Sequence, residues 1–145
     1  LHPITPYASA KAAAYLTLSQ WFHVKKIDFT WCRLFYLFGE GEDSRRLAPY
    51  LRSRLKENKI VELTSGDQVR DFMDVADAGK LISKVALNKS IGAINICSGV
   101  PITVREFSEN IAAEYGSMDL LRFGARSDNI VDPPCVVGVP NFNTT

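Results

Sequence analysis

Residues 5–38 read TPYASAKAAAYLTLSQWFHVKKIDFTWCRLFYLF, an alanine- and leucine-rich segment followed by a β-branched and aromatic one. The first segment predicts a helix from Tyr7 to Phe22, since Thr5 is a good N-cap and Pro6 suits the first helical position. The second, 27–38, has one charge after its second residue, which fits a central parallel strand covered on both faces. Together they favour an α/β fold.

The predicted first helix is apolar on two sides. One stripe consists of Ala8, Ala12, Tyr15 and Ser19. The other consists of Tyr7, Lys11, Ala14, Leu18 and Trp21. Because residues three and four apart share a helix face, two different surfaces are expected to cover this helix. A second subunit is a candidate for one of them.

The segment after the strand is expected to form a basic helix. Gly39 and Gly41 end the strand, and Ser44 is predicted to cap a helix that runs to about Lys56. Its polar face would hold Arg45, Arg46, Arg52 and Arg54. These arginines raise the hypothesis of nucleic-acid binding, but the net charge of +1 and the lack of a reading motif favour a solvated helix face.

The rest of the chain alternates short strands with helices. Strands are predicted at 60–64, through Val69 and Phe72, at 93–97 and at 120–123. Asp74 or Asp77 is expected to open a helix whose apolar residues are Ala78, Leu81, Ile82 and Val85. Thr103 is expected to cap another, with Glu106 completing a capping box. Residues 124–145 contain turn formers with little periodicity.

Composition limits the class of protein. A length of 145 residues, 46% of them hydrophobic and 23% charged, fits one globular domain. No apolar run reaches the roughly 20 residues of a membrane span, so a cytoplasmic protein is expected. Three distant cysteines with two histidines support neither a disulfide framework nor a metal site. Reduced, buried thiols are expected instead.

Tyr7 and Lys11 are the first candidates for chemistry. They are four residues apart on the predicted helix, which stacks their side chains on one face. A nearby ammonium and the positive end of a helix both favour ionisation of a phenol. The spacing alone is weak because ordinary helix solvation also explains it. The order of the features that follow it carries more weight.

That order resembles the extended short-chain dehydrogenase/reductases of the NAD-dependent nucleotide-sugar epimerase/dehydratase family. The matching segments are TPYASAK at 5–11, RLFYLFG at 33–39, QVRDFMDV at 68–75, AINICSG at 93–99 and DPP at 132–134. The resemblance covers nearly all of this chain and roughly the second half of a family member. It implies the C-terminal portion of a Rossmann-type fold with a small mixed α/β substrate-binding domain. Residues 1–43 would end the dinucleotide-binding domain, and 44–145 would be mostly substrate-binding, with 68–97 partly returning to the Rossmann sheet.

The resemblance also implies roles for individual residues. Tyr7 would be the catalytic acid/base, and Lys11 would hold the nicotinamide ribose and lower the pKa of Tyr7. The cofactor-binding residues would be Tyr7, Lys11, Arg33 and Phe35. The substrate-binding residues would be Tyr36, Arg70 and Arg126. A nucleoside-diphosphate sugar would be the substrate, its diphosphate on Arg70, and no metal is implied.

Three of these assignments leave alternatives open. Arg70 is otherwise a surface ion pair with Asp71 or Asp74. Arg126, with Arg122 behind it, is otherwise a solvated loop residue. Tyr36 stands where the family usually has an asparagine, which puts substrate choice in doubt.

The glycine-rich cofactor fingerprint does not occur in these 145 residues. Most of the NAD or NADP site would therefore lie outside them, and the chain would be part of a longer enzyme. The alternative is a non-catalytic truncated relative that acts as a folded dimerisation or interaction module. In either case the resemblance implies a homodimer through the Tyr7-to-Phe22 helix.

Overall fold

The computed structural model describes residues 3–129 and 132–142. It contains four α-helices, one 3-10 helix and nine strands in that part of the chain. In chain order they are α1 (Pro6–Lys25), β1 (Thr30–Leu34), β2 (Tyr36–Phe38), α2 (Leu47–Lys56), β3 (Val61–Glu62), β4 (Val69–Arg70), β5 (Phe72–Asp74), α3 (Val75–Leu87), β6 (Gly92–Ile96), β7 (Ile102–Thr103), α4 (Val104–Glu114), the 3-10 helix (Met118–Leu120), β8 (Leu121–Arg122) and β9 (Cys135–Val136). The α/β class predicted from the sequence is confirmed. None of the helices in the described ranges is both long and apolar enough to span a membrane.

The first helix begins as predicted. The Thr5 hydroxyl accepts a hydrogen bond from the Ala8 amide at 3.1 Å, and Pro6 is the first helical residue. Lys26, in a left-handed conformation with φ of 54°, ends the helix three residues later than predicted. The stripe that includes Ala8 and Tyr15 is half-buried against β1, whereas Leu18 and Trp21 in the other stripe are exposed. The described residues therefore cover α1 on one side and leave Leu18 and Trp21 exposed on the other.

The predicted single strand at 27–38 is in fact two strands that pair with different partners. Strand β1 runs parallel to β6, and β2 runs parallel to β5. The change of partner occurs at Phe35, whose amide donates to the Ile96 carbonyl, while the next amide, of Tyr36, donates to the Asp71 carbonyl. Cover on both faces was also wrong, because Arg33 and Leu34 in β1 are exposed.

The basic helix begins later than predicted. Helix α2 starts at Leu47, and Ser44 does not cap it, because the Asp43 carboxylate accepts the Arg45 amide at 2.9 Å and so closes a turn before the helix. Arg45 and Arg46 consequently lie in that turn, outside the helix. The arginines therefore do not form one polar helix face.

The remaining strands form small sheets around two cores. Strand β3 is parallel to β8, and β4 lies between β7 and β9. Strand β9 falls in the region expected to lack periodic structure. The larger core is built by Ala48, Leu51, Leu55, Val61, Leu63, Phe107, Ile111, Ala112 and Leu121. The smaller core is built by Ala78, Val85, Ile94 and Ile96, with Cys32 and Leu37 packed against it.

The other two capping predictions are confirmed. Asp74 caps α3 by accepting the Ala76 amide, and Thr103 and Glu106 form the expected capping box on α4.

All three cysteines are free thiols. Cys97 is buried and Cys32 is half-buried, but Cys135 is exposed on the short strand β9, so the expectation of buried thiols was wrong there.

Candidate active site

Tyr7 and Lys11 lie one turn apart at the start of α1. The Lys11 ammonium nitrogen is 5.6 Å from the centre of the Tyr7 ring, and the Tyr7 side chain is 73% exposed. The positive end of the α1 helix dipole lies at the same end of the helix, which adds positive potential there. The phenol, the ammonium and the helix end are thus together at an open surface.

A cavity of about 320 Å³ lies beside this pair, between α1 and β1. It is lined by Pro3, Ala8, Lys11, Ala12, Tyr15, Trp31 and Arg33. The Arg33 guanidinium is 5.3 Å from the centre of the Tyr15 ring, so the cavity wall carries two cations over an aromatic and alanine floor. Lysine and arginine donors of this kind suit the hydroxyls of a ribose or the oxygens of a phosphate.

Arg70 is buried, with 3% of its surface exposed. One terminal nitrogen, Nη1, donates to the Val69 carbonyl at 2.8 Å and to the Pro134 carbonyl at 3.4 Å. The other, Nη2, is buried without a hydrogen-bond partner. The alternative of a surface ion pair with Asp71 or Asp74 was wrong, because both carboxylates are engaged by backbone amides and Arg70 is not at the surface.

A second cavity of about 320 Å³ surrounds Arg70, and we call it the Arg70 pocket. It is lined by Tyr36, Leu37, Phe38, Glu42, Arg45, Arg46, Leu47, Ala48, Gln68, Arg70, Phe72, Val104, Phe107 and Asp132. The lining contains three arginines and two carboxylates, and because Arg45 is ion-paired with Asp43, Arg70 is the cation best placed for an anionic ligand. Sequence reasoning missed Glu42, Arg45 and Arg46, although a turn bounded by two glycines at the end of a strand was a signal of a ligand-binding loop.

Glu42 is unusual among the carboxylates in this pocket. Its Oε2 atom is buried without a hydrogen-bond partner, and its other oxygen lies 3.8 Å from the Arg46 Nε atom. Burial raises the pKa of Glu42, and this effect outweighs the opposing effects of the Gly39 amide and Arg46. The pocket therefore contains a half-buried carboxylate with one oxygen that has no hydrogen-bond partner among the described residues.

Asp71 organises the backbone behind the pocket. It is fully buried, and its carboxylate accepts hydrogen bonds from the Ser98 amide and hydroxyl, the Gly99 amide and the Gly138 amide, at 2.7–3.1 Å. A Cβ atom on Gly138 would lie 2.4 Å from Cys97, so only glycine brings that amide close enough. Asp71 thus connects the β4–β5 junction to the turn after β6 and to the C-terminal segment.

The other predicted site residues are dispersed. Tyr36 faces Arg70, with the guanidinium 5.2 Å from its ring centre. Phe35 is half-buried at the change of strand partner. Arg126 donates to the Tyr50 hydroxyl at 2.9 Å and stacks on that ring, and it does not line the Arg70 pocket. The structure therefore joins Tyr7 with Lys11, Lys11 with Arg33, and Tyr36 with Arg70, and leaves Arg126 apart.

The chain is similar to curated enzymes that act on nucleotide sugars by name. The chain is 26% identical over 116 residues to dTDP-6-deoxy-L-talose 4-dehydrogenase (NAD(+)) of Aggregatibacter actinomycetemcomitans, covering 79% of this chain and 43% of that protein. It is 29% identical over 106 residues to CDP-abequose synthase of Salmonella muenchen, covering 69% of this chain and 36% of that protein. The chain thus spans less than half the length of these curated relatives.

Solved structures share the fold. The UDP-N-acetylglucosamine 4-epimerase of Methanobrevibacter ruminantium M1, in complex with UDP-N-acetylmuramic acid, superposes with a TM-score of 0.88 at 23% identity, over 97% of this chain and 46% of that one. The RMD protein of Pseudomonas aeruginosa, complexed with NADPH, gives 0.82 at 24% identity, over 96% and 48%. These likenesses confirm the Rossmann-type fold class predicted from the sequence. Because residues 1–97 also match the NAD dependent epimerase/dehydratase family, this chain belongs to that family.

Proposed function

We propose that this chain supplies the catalytic acid/base and the substrate side of an NAD(P)-dependent enzyme that epimerises, dehydrates or reduces a nucleoside-diphosphate sugar. The observation that carries the proposal is the Tyr7–Lys11 pair on the open first turns of α1, in a chain of the NAD dependent epimerase/dehydratase family. The relatives named dTDP-6-deoxy-L-talose 4-dehydrogenase and CDP-abequose synthase support a nucleotide sugar as the substrate class.

Tyr7 would move the proton. Its hydroxyl, at an exposed surface, is accessible to a sugar oxygen, and the Lys11 ammonium lies 5.6 Å from the centre of its ring. A bound nicotinamide would supply or accept the hydride. Lys11 has three donors and lines the cavity beside α1, which fits a ribose diol. Arg33 and Phe35 are weaker candidates for the same cofactor, and Arg33 shares that cavity.

The diphosphate of the substrate would bind in the Arg70 pocket. Arg70 has a buried Nη2 atom with no partner among the described residues, and a phosphate oxygen would satisfy it with a charge-assisted hydrogen bond. Arg45 and Arg46 add positive charge to the same pocket, and Tyr36 contributes an aromatic wall. Arg126 stays a candidate for substrate binding that would require it to leave Tyr50.

The two cores support the division of the chain that the sequence suggests. Residues 1–43 would end the dinucleotide-binding domain, and 44–145 would be mostly substrate-binding. Residues 68–97 would partly return to the sheet of the dinucleotide-binding domain. Two observations support this: β6 pairs in parallel with β1, and Cys32 of β1 packs against the smaller core. The glycine-rich cofactor segment would come from sequence beyond these 145 residues.

A second candidate function is a non-catalytic dimerisation or interaction module. The observation that favours it is the uncovered stripe of α1, where Leu18 and Trp21 are exposed. The same stripe also fits an enzyme that dimerises through α1, so it does not exclude catalysis. The two candidates differ in whether the activity of the protein requires the Tyr7 hydroxyl.

Tyr7→Phe in the whole protein that carries this chain tests the proposal. Because Tyr7 is 73% exposed, the variant should fold and bind nucleotide normally, while kcat falls by about 10²–10⁴-fold, the usual contribution of a general acid/base. Tyr115→Phe, a partly exposed tyrosine outside both cavities, is the matched control. Unchanged turnover in Tyr7→Phe would exclude Tyr7 as the catalytic acid/base.

A further inference from the structure

Only two buried side-chain polar atoms in the described residues have no hydrogen-bond partner. They are Nη2 of Arg70 and Oε2 of Glu42. Buried polar atoms in folded proteins are almost always paired, so each exception requires an explanation. Both side chains line the Arg70 pocket, which makes a common explanation possible. One atom is a cationic donor and the other is an anionic acceptor.

Backbone geometry holds Glu42 in this position. It follows a turn in which Gly39 and Gly41 have φ of 134° and 81°, conformations that other residues rarely adopt. The Glu42 amide donates to the Gly39 carbonyl at 3.4 Å. The side chain is left 15% exposed, against Arg46 on one oxygen only. The turn therefore directs a carboxylate into the pocket without satisfying it.

We propose that Glu42 is a specificity-determining residue that accepts a hydrogen bond from a hydroxyl or N–H group of the ligand whose phosphate binds Arg70. This inference rests on the proposed function. A phosphate is repelled by a carboxylate, so the anionic part of the ligand lies on Arg70 and a neutral donor lies on Glu42. The two unpaired atoms thus impose a direction on the ligand and reject anions that carry no donor group.

Binding of pyrophosphate and of nucleotides distinguishes a specificity role of Glu42 from a structural role. In the whole protein, calorimetry would measure the Kd of pyrophosphate, of whichever of UDP, dTDP, CDP and GDP binds best, and of the glucose ester of that nucleotide. For Glu42→Ala we expect nucleotide or nucleotide-sugar binding to weaken about 10-fold or more, the usual loss for a hydrogen bond to a charged group. Pyrophosphate binding should stay equal or tighten because a repulsive charge is gone.

Two further variants make the test specific. Glu42→Gln keeps the shape and one neutral acceptor, so its loss of nucleotide affinity should be smaller than that of Glu42→Ala. Glu40→Ala removes an exposed carboxylate two residues away that does not line the Arg70 pocket, and it should change none of the affinities. Thermal melts establish that each variant is folded.

The outcomes show which part of the ligand carries the donor, and whether this inference or the proposed function fails. Weakening of both the nucleotide and its glucose ester assigns the donor to the nucleoside, and weakening of the ester alone assigns it to the hexose. An equal effect on pyrophosphate and nucleotide, or no effect on either nucleotide ligand, overturns the role of Glu42 while the proposed function stands. If the unsubstituted protein binds none of these ligands, the proposed function fails and this inference fails with it.

Discussion

The Arg70 guanidinium lies 5.2 Å from the centre of the Tyr36 ring, although the two residues belong to different strands. The parallel pairing of β2 with β5 sets this arrangement, because it aligns Tyr36 with Phe72, two residues beyond Arg70. The Tyr36 amide also donates to the carbonyl of Asp71, the next residue after Arg70. Arg70 is therefore fixed by an aromatic face and two carbonyls, with Nη2 left without a partner among the described residues.

Arg70→Lys should weaken nucleotide-sugar binding by about 10–100-fold. A lysine ammonium keeps the charge but lacks the planar fork in which one terminal nitrogen bonds two carbonyls and the other would bind a phosphate oxygen. Calorimetry on the whole protein measures the change in Kd. Arg54→Lys is the matched control, since Arg54 donates only to the Ile60 carbonyl and lies outside the pocket. Equal affinities for Arg70→Lys and the unsubstituted protein would contradict the phosphate site.

Asp71→Asn should lower the free energy of unfolding by about 3–5 kcal/mol. The carboxylate accepts from three amides and one hydroxyl in a fully buried position, and an asparagine NH₂ would point donors at donors. Urea denaturation measures the loss. Asp67→Asn, an exposed aspartate in the preceding turn, should change the free energy by less than about 0.5 kcal/mol. A similarly small change in the free energy of unfolding for Asp71→Asn would mean that the hydrogen bonds of Asp71 contribute little to stability.

Local chemistry explains which elements could be predicted from the sequence. The start of α1 and the capping box on α4 depend on residues within a few positions of one another, and both were found. The break of the strand at Phe35 depends on which distant strand supplies each partner, and a continuous apolar run carries no sign of that. The sequence alone therefore predicted one strand where the structure has β1 and β2.

The candidate site shows the same limit. Tyr7 and Lys11 are joined by helix spacing, which the sequence contains. The Arg70 pocket is assembled from β2, the turn before α2, the start of α2, β4, β5, α4 and Asp132, so its members are spread over residues 36–132 of the chain. The Arg45 amide donates to the Asp43 carboxylate, and the resulting turn leaves Arg45 and Arg46 outside the helix. The helix propensity of that segment gave no sign of the turn.

If the whole protein dimerises through α1, as the family resemblance implies, Leu18→Lys should weaken the dimer by at least about 10-fold. Leu18 is 37% exposed and Trp21 is 51% exposed on the uncovered stripe of α1, so a buried lysine there would be unpaired in a symmetric interface. Sedimentation velocity across a concentration series measures the change. Gln20→Lys adds the same charge to an exposed position outside that stripe and serves as the control. A protein that is monomeric at all concentrations would rule out the α1 interface.

Thr103→Ala should lower the free energy of unfolding by about 1 kcal/mol, because the Thr103 hydroxyl accepts the Glu106 amide at 3.0 Å and caps α4. Urea denaturation measures the loss. Thr17→Ala, at an exposed position in the interior of α1, is the control and should not destabilise the protein.

The reciprocal half of this capping box makes the same cap depend on pH. Hydrogen bonds from the Thr103 amide and hydroxyl lower the pKa of Glu106 below its ordinary value. A carboxyl with a lower pKa in the folded state stabilises that state fully above its unfolded pKa, and the contribution is lost as the pH falls through the folded value. Glu106→Gln should therefore destabilise the protein at pH 7 and match it once both states are protonated. A difference that does not shrink on acidification would mean that the Glu106 charge has no part in the cap.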